Sequence, residues 1–374
     1  MRKLASVQTI SEIKTHPNAD SLELAIILGW QVAVVKDSFK VGDKVVYMEV
    51  DSILPPKPEF EFLASKKYRI KTIRLRGERS EGIVFGMEIL PKGTYEVGDD
   101  VTELLGVTKY LTPQERREVE VKKKKPKGFF QKVLKFFGLY NTSLGYKLRG
   151  LVFPDWEWFP SYVSKTDETR VQNNPRVLSD GLEYFITEKI EGTSVTYGID
   201  EKNNITTSTR NYVITPKRIK TDPSLQRYID VIGPYCVYES LQMWKEFFGA
   251  KTLALQGEMV GPGISGNIYG LTEDDFYLFN LVIDGKKYSV HGHKASYINN
   301  AIKRVPVLGT FKADGKSTVD SILEAATFTS TIEGTKETLA EGMVLRAFNA
   351  EEQVVSSFKV VSPEYLLKKE KKND

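Results

Sequence analysis

The stretch ITEKIEGTS (186–194) sets a lysine, Lys189, between Glu188 and Glu191, with Gly192, Thr193 and Ser194 directly after it. A lysine amine is a nucleophile only without its extra proton, and with a reference pKa near 10.4 losing that proton costs about 4.6 kcal/mol at pH 7. Bare carboxylates beside it favour the ammonium and work against attack. A divalent cation reverses the local electrostatics: it favours the neutral amine and offsets charge on a phosphate under attack. If Lys189 is a nucleophile, the acids around it therefore belong to a metal. Other chemistries have few residues to work with. Cys236 is the one cysteine, which excludes an internal disulfide and a multi-cysteine metal site, and the histidines are three, His16, His291 and His293. That leaves little room for a Ser-His-Asp triad, and HGH (291–293) reads as a turn-borne surface pair. Carboxylates and lysines must carry whatever chemistry there is.

These residues need a scaffold, and the chain is long enough for two domains, at 374 residues against roughly 150 per domain. With 41% hydrophobic and 27% charged residues it has the balance of a globular protein rather than a disordered one. No run of 18 apolar residues occurs, and the start MRKLASVQTISEIKTH meets polar residues before any signal-peptide core, so an intracellular, reducing location without a membrane span is expected. Net charge is only +4, but the positive charge is clustered. KKKKPK (122–127) and KKEKK (368–372) read as a solvated linker and a frayed tail. KKYRIKTIRLRGER (66–79) interleaves basic and apolar residues, so a strand there would offer one basic, phosphate-facing side that includes Arg74 and Arg76.

The first hundred residues read as short strands, WQVAVVKD (30–37), KVVYMEVD (44–51), RIKTIRLRG (69–77) and EGIVFGMEIL (81–90), broken by VGD, PPKP and PKG. About five strands without a long amphipathic helix predict a small barrel. LTPQERREVE (111–120) carries a helix start at Thr112–Pro113, and the lysine run with Pro126 ends it. From about 145 onward longer strands mix with helices, two of them expected at 224–233 and 239–249.

Segment 13–35, with HPNAD near its start, resembles the OB-fold tRNA-binding domains appended to some aminoacyl-tRNA synthetases. Further on, EKIEGTS (188–194), STRN (208–211), LALQGEMVGPG (253–263), DFYLFNL (275–281) and EGMVLRA (341–347) come in order, followed by SFKVVSPEYLLK (357–368). Together they resemble the covalent nucleotidyltransferase superfamily of polynucleotide ligases and mRNA-capping enzymes. The match is nearest to the ATP-dependent RNA ligases that carry an OB domain ahead of the transferase domain. SKTDETRVQNNP (164–175) is similar to the segment that opens the transferase domain of such ligases. A lone KxxG occurs by chance in many proteins; all six segments in order do not.

The resemblance implies an α+β chain. An N-terminal OB-type β-barrel would span 1–110, a basic linker and helix 111–144, and a nucleotidyltransferase (ATP-grasp-like ligase) domain of antiparallel sheets and helices 145–374. It implies ATP with Mg²⁺ or Mn²⁺ as cofactors and Lys189 as the nucleophile that becomes lysyl-AMP. Glu191, Glu258 and Glu341 would hold a hydrated cation largely through its waters, which suits an ion that dehydrates reluctantly. Glu188, on the opposite face of the strand from Lys189, would recognise the adenine amino group, and Phe279 would lie against the adenine ring. Arg210 would contact ribose or the nucleic-acid terminus, and Gly192 would let backbone approach the nucleotide. Glu341 and Lys359 would act with Lys189 in catalysis, Lys359 on the ATP phosphates. Many relatives carry two lysines one residue apart at this last segment. Here Ser357 and Val361 flank Lys359, so the second cation comes from elsewhere or one phosphate contact is missing. Arg170 in TDETR would grip an RNA phosphate.

The implied reaction seals RNA with 5′-phosphate and 3′-hydroxyl ends, at a nicked duplex, by a monomer. DNA ligases and capping guanylyltransferases are the alternatives of the same chemistry, but they usually place the OB domain after the transferase domain, and about 13 residues beyond Val361 cannot hold one. A non-catalytic RNA-binding relic is the alternative of another class; Lys189, Glu258 and Glu341 kept together argue against it.

Overall fold

The computed structural model describes residues 3–111, 159–334 and 336–373. The expected linker, with its lysine run and the helix start at Thr112, lies outside the described residues apart from Leu111, as does the first part of the domain expected from 145.

The apolar, β-branched runs at the start of the chain form β1 (Ala5–Thr15), β2 (Leu22–Ile27), β3 (Trp30–Val35), β4 (Lys44–Met48), β5 (Ser52–Ile53), β6 (Thr72–Leu75), β7 (Glu78–Glu81) and β8 (Ile83–Gly86). The helix α1 (Thr102–Leu105) and β9 (Thr108–Lys109), which pairs with β5, follow. A five-stranded antiparallel sheet runs β3-β2-β1-β4-β8. β1 joins two halves of it: Ala5–Thr9 pair with β4 and Ile10–Thr15 with β2, with the register shifting between Ile10 and Glu12. An irregularity of this kind bends a strand and adds twist, and here it curls the sheet into a half-barrel around the fully buried Ile10, Trp30 and Tyr47.

The expected strands at 69–77 and 81–90 come out shorter. Lys67 and Tyr68 have positive φ ahead of β6, and Arg76 and Gly77 both have positive φ after it, which makes a two-residue hairpin turn into β7. At Gly82, φ is 120° and an added Cβ would sit 2.4 Å from the Tyr47 ring, so the chain bends there between β7 and β8.

The second part holds two five-stranded sheets. The first joins β10 (Thr169–Arg170), β11 (Glu183–Lys189), β17 (Val307–Lys312), β18 (Gly342–Phe348) and β19 (Val354–Val361) in the order β10-β19-β18-β11-β17, antiparallel except for β10. The second joins β12 (Thr193–Ile199), β13 (Ile205–Thr209), β14 (Leu253–Val260), β15 (Asp275–Ile283) and β16 (Lys286–Tyr288) in the order β13-β12-β14-β15-β16. Its core of Tyr197, Leu255 and Phe276 is covered by Tyr228, Leu241 and Trp244. These come from α3 (Arg227–Asp230) and α4 (Val237–Phe247), which α2 (Pro216–Thr221) precedes. The helix expected at 224–233 is a tight turn at Pro223–Gln226 running into α3, with Val231 still in helical backbone, and a further turn containing Pro234 follows at Gly233–Tyr235. On the other sheet, α5 (Val319–Ala325) adds Ile322 and Leu323 to the core around Tyr184 and Phe358.

The chain ends in α6 (Pro363–Asn373), so the lysine-rich tail is helical rather than frayed. This helix and α5 supply acids that the basic segment 66–79 meets. Arg69 pairs with Asp51 and Glu370 at 3.2 and 2.7 Å, Lys71 with Glu370 at 3.4 Å, Arg74 with Glu364, and Arg79 with Glu81 and Asp320 at 2.9 and 3.1 Å. Most of the positive charge expected to form an open phosphate-facing strand is thus turned against the rest of the molecule. The half-barrel also docks through Gly29, whose N–H donates to the Gln172 carbonyl at 2.8 Å, and Trp30, whose Nε1 donates to Asn173 Oδ1 at 2.6 Å. Among the described residues no helix is long and apolar enough to cross a membrane.

Candidate active site

Lys189 is the last residue of β11 and Thr193 the first of β12, so the stretch between them is the crossover from one sheet to the other. Gly192 sits there because a Cβ would lie 2.3 Å from the Met259 carbonyl; the close approach its lack of a side chain allows is to β14. Opposite Lys189 in β18 is Gly342, and the preceding Glu341 reaches the amine: Lys189 Nζ donates to Glu341 Oε2 at 2.6 Å. Ser194 Oγ donates to Glu258 Oε2 at 3.0 Å across the β12–β14 pair.

The electrostatics answer the question the stretch raises. Burial lowers the Lys189 pKa, but the charges of Glu341, then Glu258 and Glu191, outweigh it and hold the amine above the ordinary lysine value. Burial pushes Glu258 up to about 8, with Glu341 and Glu191 adding to the rise against Lys189. Glu341 is raised by burial and by Glu191. Glu191 moves the other way, to about 2: burial opposes this, and Lys369, Lys189 and Tyr365 overcome it. Burial above all keeps a proton on Glu258, and with Glu341 raised as well the cluster holds more carboxyl groups than the ammoniums of Lys189 and Lys369 balance. That surplus fits a divalent cation. Among the described residues no three histidine, cysteine or acidic side chains are grouped so that they could hold a metal ion.

Lys359 and Arg170 complete the cationic side. They face each other across the parallel β10–β19 pair. Burial, then Lys189 and Arg170, pull Lys359 down to about 8. Arg170 is 11% exposed, lies 3.7 Å from Asp51 of the half-barrel and stacks 5.5 Å from the Trp30 ring, with Nη1 buried and unpartnered. It is a residue of the seam between the two parts, whereas Arg74, 48% exposed, pairs with Glu364 at the rim of that seam and Arg76 is exposed. Arg210 follows β13 and pairs with Asp167, whose carboxyl Arg210 and Lys359 lower against the effect of burial.

Phe279 is half-buried in a small cleft with Phe185, Thr187, His291 and Arg346, the Arg346 guanidinium 5.9 Å from its ring. Phe185 and Thr187 alternate with Lys189 along β11, so this cleft opens on the nucleophile's face of the strand. Glu188 points the other way, as expected, and is buried. Its carboxylate accepts from Ser330 Oγ at 2.5 Å, Thr331 N at 2.8 Å and Thr331 Oγ1 at 2.6 Å. The structure therefore separates Glu188 from the other acids and uses it to tie down the segment at 330–331. Thr331→Val deprives a buried carboxylate of one donor and is expected to cost about 1–3 kcal/mol, read as a lower urea midpoint at unchanged slope.

Several residues of the site lay outside the sequence reading. Asp167 and Glu168 sit in a quoted segment without a role. Glu168 pairs with Arg346 at 3.2 Å and accepts from Ser357 Oγ at 2.6 Å, which gives Ser357 a partner of its own. Tyr269 OH accepts from Glu191 N at 2.8 Å, and Lys369 Nζ donates to Glu191 Oε1 at 2.8 Å. Nothing in the lysine-rich C-terminal run marks Lys369 as the lysine that reaches Glu191.

Comparison with known proteins follows the same division of the chain. An OB-fold domain model matches residues 4–87 and an RNA ligase model residues 182–361. Among solved structures, Naegleria gruberi RNA ligase with PPi is similar over 100% of both chains, at 27% identity and a TM-score of 0.76. A variant of that ligase with ATP and Mn matches over 100% of both chains, at 27% identity and a TM-score of 0.75. Another with AMP and Mn covers 98% of both, at 26% identity and a TM-score of 0.71. A search of curated proteins gives no match.

Proposed function

We propose, from the premise that this chain is an ATP-dependent RNA ligase with an OB domain ahead of its ligase domain, that it joins a 3′-hydroxyl to a 5′-phosphate through an adenylate carried on Lys189. The observation that supports the route most directly is the hydrogen bond of Lys189 Nζ to Glu341 at 2.6 Å, within the joint field of Glu258 and Glu191. Lys189 ends a strand that leads from the Phe279 cleft into the carboxylate cluster, as an amine must if a base is to sit in the cleft and a phosphate beside the acids.

In the first step the Lys189 amine attacks the α-phosphorus of ATP, the bond to the β-phosphate oxygen breaks, pyrophosphate leaves, and a lysyl-AMP phosphoramidate remains. Glu341 Oε2 stands in position to take the amine proton, with a carboxyl already raised by burial. Lys359 offsets charge on the departing phosphates. In the second step a 5′-phosphate oxygen of RNA attacks the same phosphorus and frees the amine. In the third a 3′-hydroxyl attacks the 5′-phosphate, and AMP leaves. A divalent cation, Mg²⁺ or Mn²⁺, when bound supplies charge that favours the neutral amine and neutralises the α-phosphate. Glu191, Glu258 and Glu341 are the residues to hold it through its waters. The substrate we favour is a nick in duplex RNA, with the protein acting as a monomer and holding the RNA mainly through phosphates and 2′-hydroxyls.

The test incubates the purified chain with α-labelled ATP or GTP and Mn²⁺, without RNA. Label from ATP that withstands denaturation and alkali, is released by acid as a P–N bond requires, and maps by peptide mass spectrometry to Lys189 is expected. Label from GTP alone moves the protein to capping chemistry, and no label at all removes the covalent route. Sealing assays on nicked RNA, nicked DNA and single strands then rank the substrates, with nicked RNA expected first.

A further inference from the structure

The helix α6 springs from the carboxylate cluster. The residue before it, Ser362, donates its N–H to the Glu341 carbonyl at 2.9 Å, and its Oγ accepts from Tyr365 N at 3.2 Å. Tyr365 and Lys369, four residues apart, lie on one face of the helix, and the Lys369 ammonium sits 5.4 Å from the Tyr365 ring centroid. Both side chains end on Glu191: Lys369 Nζ donates to Oε1 at 2.8 Å, and the Tyr365 hydroxyl donates to the same carboxylate. Tyr365 is 7% exposed. Another face of the helix holds the half-barrel, through Glu364 to Arg74 and Glu370 to Arg69 and Lys71. Glu370 is 15% exposed, so this is an enclosed contact rather than a loose surface pair.

We infer that Tyr365 and Lys369 are positioning residues that fix the Glu191 carboxylate beside Lys189, and that α6 makes this positioning depend on the docked half-barrel. The inference rests on the reading of Lys189 and Glu191 as the adenylylation site. Glu191 lies in the crossover between sheets, where no ladder hydrogen bond orients its side chain. Its two donors come from α6, and the helix in turn touches the β6–β7 hairpin. Outer partners of this kind set the direction in which a carboxylate presents its lone pairs, and their loss typically weakens metal affinity roughly 10–100-fold.

The experiment titrates Mn²⁺ into the full chain saturated with α,β-methylene-ATP, which cannot break at the bond Lys189 attacks, and reads free Mn²⁺ by electron paramagnetic resonance. Tyr365→Phe removes one hydrogen bond without changing charge and is expected to weaken Mn²⁺ binding roughly tenfold. Lys369→Met is expected to weaken it as well, although it removes a neighbouring positive charge, and Lys369→Arg is expected to restore it. Glu370→Gln, remote from the carboxylates, is expected to give a smaller loss of the same sign. Thermal midpoints taken in parallel separate this from a packing defect, which lowers the midpoint and leaves Mn²⁺ affinity alone. Affinity unchanged in both Tyr365→Phe and Lys369→Met overturns the inference, and so does tighter binding in Lys369→Met, which makes the ammonium a mere competitor for Glu191. The wild-type chain assayed for ATP-derived label in the same preparation keeps the two readings apart. Label in the wild type with unaltered variants refutes only the positioning role, whereas an unlabelled wild type refutes the site itself.

Discussion

Lys189→Ala leaves a folded chain that takes up no label from ATP, with single-turnover adenylylation falling by at least roughly 10⁴-fold, the scale seen when a covalent nucleophile is removed. Lys189→Arg fares no better, because a guanidinium does not give up its proton and cannot attack phosphorus. The loss is confined to the steps that use the amine. RNA adenylated beforehand at its 5′ end needs neither the attack on ATP nor the transfer from lysine, so the variant still seals it, at a rate within about tenfold of the wild type. Quench-flow with labelled ATP, paired with a sealing assay on pre-adenylated RNA, reads both arms. Equal loss on the two substrates means that Lys189 maintains the fold of the cleft and is not the bonding atom. The variant also leaves Glu341, Glu258 and Glu191 facing one another with one cation fewer, so in a chelator its stability should fall as pH rises through the raised titrations of Glu258 and Glu341.

What the sequence disclosed, and what it hid, divides along a physical line. Local signals carried well. The β-branched runs at 30–37 and 44–51 became β3 and β4, and the three residues between Lys189 and Thr193 form the crossover joining the two sheets. The resemblance, and not the spacing of acids along the chain, implied Glu341 and Glu258 as neighbours of the lysine, and both lie in its field. The resemblance to RNA ligases agrees with the family and structural matches. Alternation in a strand correctly sent Glu188 to the face away from Lys189, but alternation cannot say what waits on that face, and Ser330 and Thr331 lie some 140 residues further along the chain. The basic segment 66–79 shows the same limit. Its pattern of charge was plain, but its partners, Glu364 and Glu370, come from a helix about 290 residues away. Charge read along a chain cannot tell a nucleic-acid surface from one half of an internal seam. Arg170 illustrates this most sharply. It was read as reaching for RNA, and it is packed between Trp30 and Asp51.

Lys359→Met should make the protein more stable and less active, a combination expected only of a residue placed for a ligand rather than for the fold. The half-buried ammonium faces Lys189 and Arg170, which together with burial bring its pKa from 10.5 to about 8. A displacement of that size, at about 1.4 kcal/mol per unit, sets a ceiling of roughly 3 kcal/mol, and partial exposure reduces it to about 1–2 kcal/mol. The sign follows from the protons bound. Between about 8 and 10.5 the native chain holds fewer protons at this site than the unfolded chain does, so wild-type stability rises with pH across that window. Below about 8 the full cost of the crowded ammonium is present. Methionine removes that cost, so at pH 7 the variant should melt a few degrees higher, and the difference from wild type should shrink as pH approaches 10.5. ATP reverses the balance, because a polyphosphate turns the crowding of Lys359, Lys189 and Arg170 into attraction. Adenylylation should therefore drop roughly 10²–10³-fold, the usual cost of losing one preorganised donor to developing negative charge. Calorimetry across pH with quench-flow at pH 7 decides the matter. A variant that loses both stability and rate shows Lys359 to be a packing residue, and one that gains stability while labelling at the wild-type rate shows that the phosphates are gripped elsewhere.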